Sequence, residues 1–368
     1  MAQNKEKSKF RAFLDKKGIT LSPKLYFVDA MSAMALGLFA SLLMGTIFGT
    51  VAKYIPDGNA IRDFFDLLAK IGNVTTSGDT IGAVIGIAIA AALKAPMLVM
   101  LSAGAVGMFG HEFGTTFIFE GAEKSVTAGP LGAFVCVLLA VEIGKLVSKS
   151  TKVDILVTPA VTLGAGALVA MILCPGIAYL MYWLGYFINY ATGLYPLVMG
   201  IIISVVVGIV LTLPISSAAI CAMIGITGIA GGAAVAGCCA QMVGFAVISF
   251  RENKWGGVVA QGLGTSMLQM GNIVKNPLIW IPATLASAIT GPISTCIFGL
   301  ECSGLSAGMG TCGLVGPLRV FTDMGFNANS IVGVILVCLV LPAILSLVFS
   351  EIMRKLGWIR EGDMKLDL

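Results

Sequence analysis

Charge and histidine are what this chain has least of. Only 11% of its 368 residues are Asp, Glu, Lys or Arg, against 57% hydrophobic residues, and its mean hydropathy is +0.97. A water-soluble globule of that composition could not cover its surface in polar groups, so the chain is read as an integral membrane protein. The scarcity also removes reaction classes. His111 is the single histidine, and His111-Glu112 without a second histidine at helical spacing lacks the geometry of a zinc protease. The nine cysteines, adjacent Cys238-Cys239 included, have no metal-ligand spacing and sit in apolar runs, where cysteine is a small filler. Glycine strings such as 225–237 are not followed by Lys-Ser/Thr, so they are no phosphate-cradling loop. No metal, no cofactor and no catalytic set of an ordinary enzyme is expected, and a net charge of +4 gives no reason to expect nucleic acid. Neither polar tail is long enough to fold alone.

Apolar windows fill most of the rest. Tyr26–Val51, Thr80–Leu93, Ala95–Gly110, Ala128–Val147, Ile155–Leu173, Tyr195–Leu213, Ala218–Phe250, Leu278–Leu300 and Ser330–Ile352 are candidate spans, and several are shorter than the roughly 20 residues one crossing takes. The expected fold is an all-α polytopic membrane protein with about eight to ten transmembrane helices, some broken or re-entrant. Three regions are expected: a basic leader over 1–25, one transmembrane domain over 26–352 and a tail over 353–368. The first apolar run is long enough to stay in the membrane as a retained anchor. Lys5, Lys7, Lys9, Arg11, Lys16, Lys17 and Lys24 before it, and Arg354, Lys355, Arg360 and Lys365 at the other end, place both termini in the cytoplasm by the positive-inside rule. The leader also suits contact with anionic lipid. Lys145, Lys149 and Lys152 mark one inner loop and Arg251 with Lys254 another, while Cys174–Tyr195 has no Lys or Arg and is expected at the outer side. Asn59–Ile71 pairs apolar residues at helical spacing with charges opposite them, which predicts an interfacial helix.

The region from Leu213 to Leu318 is apolar yet repeatedly interrupted by glycine, proline and isolated amides. Backbone that leaves the helix at membrane depth survives only where protein or water satisfies it, so such a region lines a path or a cavity. Lys94-Ala95-Pro96 before Gly129-Pro130 is echoed by Lys275-Asn276-Pro277 before Gly291-Pro292, the kind of paired interruption that inverted repeats leave.

Four runs carry a resemblance. VDILVTPAVTLGAGALVAMI (153–172), LPISSAAICAMIGITGIAGGAAVAGCCAQMVGFAVISFREN (213–253), LGTSMLQMGNIVKNPLIWIPATLASAITGP (263–292) and AGMGTCGLVGPL (307–318) resemble the EIIC-like permease family of the phosphotransferase system, which includes proteins named as perfringolysin O regulators. The likeness runs from about Thr75 to about Ser350 and is most specific over 213–292. It implies a membrane subunit that moves a small polar solute, a sugar or a related compound, across the bacterial plasma membrane by alternating access. It also implies a homodimer and, if phosphotransfer drives it, separate A and B phosphotransfer proteins. The Gly-Ile-Thr-Glu-Pro signature of glucose-type permeases is absent; Gly299-Leu300-Glu301-Cys302 is a loose counterpart, and His111–Lys124 looks like an addition.

An uncharged polyol needs groups that donate and accept hydrogen bonds. Gln241, Gln261, Gln269, Asn272 and Asn276 are such groups inside the interrupted region, each equally able to cap a frayed helix or bond a neighbouring span. Ser216 and Ser217 after Pro214 offer hydroxyls at a helix start, for capping or for solute. Glu301 between apolar and glycine-rich runs is the sharpest candidate for a ligand or proton role, since a carboxylate at membrane depth is costly unless it faces a cavity, a cation or a proton path. Lys275 either neutralises it or snorkels to an interface. Glu142 and Lys145, three apart, share one helix face as an ion pair for proton or ion movement, or as a solvated boundary marker. Two alternatives to the permease remain open from these residues: a membrane sensor or regulator on the same fold, and a proton-coupled secondary transporter using Glu301 or Glu142.

Overall fold

The structure, a computed structural model, describes residues 13–38 except 15 and 21, residues 40, 55 and 60–75, and residues 78–366 except 120 and 121. The second half of the Tyr26–Val51 window and most of the leader lie outside the described residues. The chain forms two units, Met1–Ser41 with Ser77–Tyr179 and Leu42–Thr76 with Leu180–Leu368.

The first unit is a stack of apolar helices: α1 (Leu25–Gly37), α3 (Gly78–Ala92), α4 (Met97–Glu112) and α5 (Gly129–Val147), with the opening half of the 39-residue α6 (Asp154–Thr192). Proline starts two of them, Pro96 before α4 and Pro130 in the first turn of α5, where its missing N–H costs nothing. Glycine lets the helices touch backbone to backbone. A β-carbon on Gly82 would collide with Gly107 O, one on Gly86 with Ala103 O, and one on Gly132 with Gly110 O, which is how membrane helices gain contact when lipid tails are as apolar as their own side chains. Between α4 and α5 the chain makes a two-stranded antiparallel hairpin, β1 (Gly114–Phe119) and β2 (Ala122–Thr127), Gly114 pairing with Thr127. The all-α expectation missed it, because a single hairpin in an added segment leaves no membrane-length signal. Helix α6 runs on from the Ile155–Leu173 window through the segment without Lys or Arg, carrying Pro159 and Pro175 inside it.

In the second unit, α2 (Ala60–Thr75) is amphipathic, with Ile61, Phe64 and Leu67 exposed on one side, as befits a helix lying in an interface. Four helices make the core: α7 (Pro196–Thr212), α9 (Gly228–Ile248), α12 (Pro277–Phe298) and α14 (Ala328–Lys355). Helix α9 is central, 89% of its apolar window being buried against 33% for α14. Its residues are small where neighbours press closest: a β-carbon on Gly237 would meet Ser204 O, and Ser204 Oγ donates to Ser287 O at 2.8 Å.

Around this core the chain breaks repeatedly, as the glycine and proline pattern of 213–318 implies. The Ala218–Phe250 window divides into a short α8 (Ser217–Met223) and α9, and α10 (Phe250–Val259) runs into a wide turn. A short α11 (Met270–Lys275) precedes α12. After α12 an irregular stretch with two tight helical turns leads to α13 (Val315–Met324). Among the described residues five helices are long and apolar enough to cross a membrane: α5, α6, α9, α12 and α14. The shorter apolar helices are α1, α3, α4 and α7.

Candidate functional site

The sequence-predicted amides do not converge on one open pocket; they divide into two buried sets. In the first, Gln241 on α9 is fully buried. Its Nε2 donates to Thr284 Oγ1 at 3.2 Å, and its Oε1 accepts from Trp280 Nε1 at 3.1 Å and Thr212 Oγ1 at 3.4 Å. Thr212 and Ser266 exchange a hydroxyl bond of 2.7 Å beside it. This set joins α7, α9 and α12.

The second set is a row. Gln261 Nε2 donates to Ser249 Oγ at 2.8 Å and to Gly257 O, while its Oε1 accepts from Gln269 Nε2 at 2.9 Å. Gln269 Oε1 accepts from Asn272 Nδ2 at 2.9 Å, and Asn272 Oδ1 accepts from Lys275 Nζ at 3.4 Å. The tail of the chain closes the row. Met364 O accepts from Gln269 at 3.0 Å and from Asn253 Nδ2 at 2.8 Å, Lys365 O accepts from Asn272 at 2.8 Å, and Leu366 N donates to Asn253 Oδ1 at 2.8 Å. Asn276 Nδ2 donates to Asp363 Oδ2 at 2.8 Å and Trp358 O at 3.1 Å. Ile359 and Met364, 2% and 0% exposed, anchor the segment. Polar groups buried away from water need partners, and here the partners of this row are side chains of the row itself, the 249–257 turn and tail carbonyls.

The other candidates fall elsewhere. Ser216 caps α8, its Oγ accepting from Ala219 N at 3.2 Å, and Ser217 Oγ donates to Gly308 O at 2.7 Å. Lys275 reaches Asn272 and does not neutralise Glu301. In the first unit, Glu142 and Lys145 form an ion pair of 3.2 Å, and Lys145 is only 1% exposed, with Gly18 O at 3.3 Å as its second acceptor. The solvated-marker reading is therefore corrected: Gly18 lies against the lysine, and next to it Lys17 Nζ donates to Ser148 O at 2.7 Å.

Glu301 lies in a non-helical tetrapeptide, Leu300–Ser303, bracketed by Gly299 and Gly304, both at positive φ (54° and 63°). Leu300 and Cys302 are buried, 1% and 0% exposed, where Gly232 and Gly231 of α9 leave room for their carbonyls, and Glu301 points outward, exposed. The backbone is pinned on its inner edge by Cys302 N to Gly228 O (3.2 Å) and Gly304 N to Ile226 O (2.8 Å). Among the described residues the Glu301 carboxylate has no ion-pair partner. Beside it Asp323 and Arg319, one helical turn apart on α13, pair at 2.9 Å, and both reach Ser303 Oγ, which donates to Asp323 Oδ2 at 2.8 Å and accepts from Arg319 at 2.6 Å. Sequence reasoning passed over this pair; its signal was an opposite charge pair at i, i+4 in a segment otherwise poor in charge.

Among curated proteins none matches the chain. Among solved structures, the crystal structure of the transporter ChbC, the IIC component from the N,N'-diacetylchitobiose-specific phosphotransferase system, is similar at 13% identity with a TM-score of 0.36, over 91% of this chain and 96% of that one. The family model described as phosphotransferase system, EIIC matches residues 28–366, so the chain belongs to that family and is a multi-pass membrane component of a phosphotransferase system.

Proposed function

We propose that this chain is the translocating subunit for a small hydroxyl-rich solute, a sugar or a close relative, in the bacterial plasma membrane, and that it exposes the solute to each side in turn. Separate A and B proteins supply phosphotransfer, both termini face the cytoplasm, and two copies assemble as a homodimer; a place in the perfringolysin O regulator-type branch fits the same runs of sequence. The observation that carries the reading is the outward-facing Glu301 on the non-helical 300–303 segment, held where the glycine-rich start of α9 meets the broken segment after α12. A carboxylate there accepts from two adjacent hydroxyls, and non-helical backbone at such a place is what solute sites in broken-helix transporters are made of. Gln241, Gln261, Gln269, Asn272, Asn276 and the hydroxyls of Ser216 and Ser217 are partnered within the chain in this arrangement, so the solute meets Glu301 first and the amides only in a rearranged state. The tail's bonds to the amide row also favour a second reading, in which the same fold senses its solute and reports through the tail.

Thermal stability of the purified protein in detergent, read against a panel of sugars, polyols, nucleosides and small acids, tests the proposal, since a ligand of the folded state raises stability by mass action. A sugar that stabilises the wild type and not Glu301→Gln supports both the function and the site. A nucleoside or acid that does so in place of every sugar overturns the solute class.

A further inference from the structure

We infer that Ser303, Asp323 and Arg319 are positioning residues for Glu301; the inference deepens the site proposed above and rests on it. The tetrapeptide 300–303 is fixed along its inner edge by backbone bonds to Ile226 and Gly228 and by the burial of Leu300 and Cys302. Its entry is fixed as well, by Leu300 N to Ser294 O at 2.9 Å and by Asn329 Nδ2 donating to Phe298 O at 2.8 Å. Among the described residues its outer edge is held only by α13: Met324 Sδ takes the Glu301 N–H at 3.2 Å, a weak acceptor, and Asp323 with Arg319 clasps Ser303. A hydroxyl that donates to a carboxylate while accepting from a guanidinium is held in both its roles, and charge-assisted bonds are the stronger kind. The clasp therefore sets the rotation of the segment two residues from Glu301, and turning it would bring Glu301 inward and Cys302 outward. The same arrangement spends Asp323 on Ser303 and Arg319, so one carboxylate of the two faces the solute unpaired. The partial exposure of the clasp, 43% for Arg319 and 18% for Asp323, leaves it within reach of solute-driven change.

Two measurements on the full-length protein test this. The first needs no ligand: the rate at which N-ethylmaleimide modifies Cys302, followed by peptide mass spectrometry with exposed Cys296 as the internal reference. Ser303→Ala and Asp323→Asn are expected to speed Cys302 modification at least about tenfold, as expected for loss of one charge-assisted bond, with Arg319→Lys close to wild type. Rates within twofold of wild type in both Ser303→Ala and Asp323→Asn overturn the inference. The second uses glucose, N-acetylglucosamine and N,N'-diacetylchitobiose as probes in the thermal assay. For whichever probe stabilises the wild type, Ser303→Ala is expected to weaken the apparent affinity about tenfold, and Arg319→Lys to retain more affinity than Arg319→Ala. Unchanged affinity in Ser303→Ala beside lost affinity in Glu301→Gln overturns the positioning role alone; unchanged affinity in both overturns the Glu301 site itself. If no probe stabilises the wild type, Cys302 reactivity decides the matter.

Discussion

The two units bury their polar atoms by opposite means. In the first, helices α3, α4 and α5 are unbroken and satisfy their own backbone, so they close on one another through Gly82, Gly86, Gly107, Gly110 and Gly132; among the described residues its buried ion pair is Glu142–Lys145. In the second, the chain leaves the helix at 224–227, 260–269 and 299–314, and buried amides and hydroxyls accompany those breaks: Gln241, Gln261, Ser266, Gln269 and Asn272. A broken helix frees donors and acceptors that hydrocarbon cannot satisfy, and the buried amides are themselves partnered by side chains of α7 and α12 and by carbonyls of the tail. The lesson is that an intramembrane amide is weak grounds for a solute contact until its own partners are known.

The contrast can be broken or sharpened by substitution, and the largest effect is expected in the first unit. Lys145→Met leaves Glu142 unpaired in a buried place, which costs about 3–5 kcal/mol; the loss should appear in the unfolding midpoint and be largely recovered in the double variant Glu142→Gln, Lys145→Met. A recovery of nothing would show that the lysine acts through its bond to Gly18 instead. Next, Gly82→Val forces a side chain against the backbone of α4 at about 1–3 kcal/mol or more, whereas a like change at exposed Gly256, which faces open space, should be within the helix-propensity range. In the second unit, Gln269→Leu strands Gln261 Oε1 and removes one of the two donors to Met364 O, at about 1–3 kcal/mol for the group left unmade, and should make the 356–368 segment the first site cut in limited proteolysis. A tail that resists cleavage as in the wild type would mean that Asn253 and Asn272 suffice to hold it. The smallest effect has the opposite sign. Lys149 follows α5 at φ 58°, a conformation that disfavours a side chain, so Lys149→Gly is expected to stabilise by up to about 1 kcal/mol.

Helix positions were largely legible from residues because length, hydropathy and proline are local properties. The windows at 80–93, 95–110, 128–147, 278–300 and 330–352 each meet one helix within a few residues, and the amphipathic helix expected at 59–71 is α2. The broken region was legible for the same reason, since glycine and proline break a helix wherever it lies. The hairpin at 114–127 was not, because strand pairing in so short a segment is weakly encoded.

Residue chemistry alone thus determined that the chain lives in a membrane, where its helices run, where they fail, and that Glu301 stands out as an acid among apolar neighbours. Tertiary structure decided what each polar group meets. Gln269 and Met364 are 95 residues apart in sequence, Thr212 and Ser266 are 54 apart, and Ser303 meets Asp323 across 20. Hydrophobicity acts on every apolar residue regardless of its neighbour, but a hydrogen bond exists only where one donor meets one acceptor at about 3 Å, and that meeting depends on how distant segments pack.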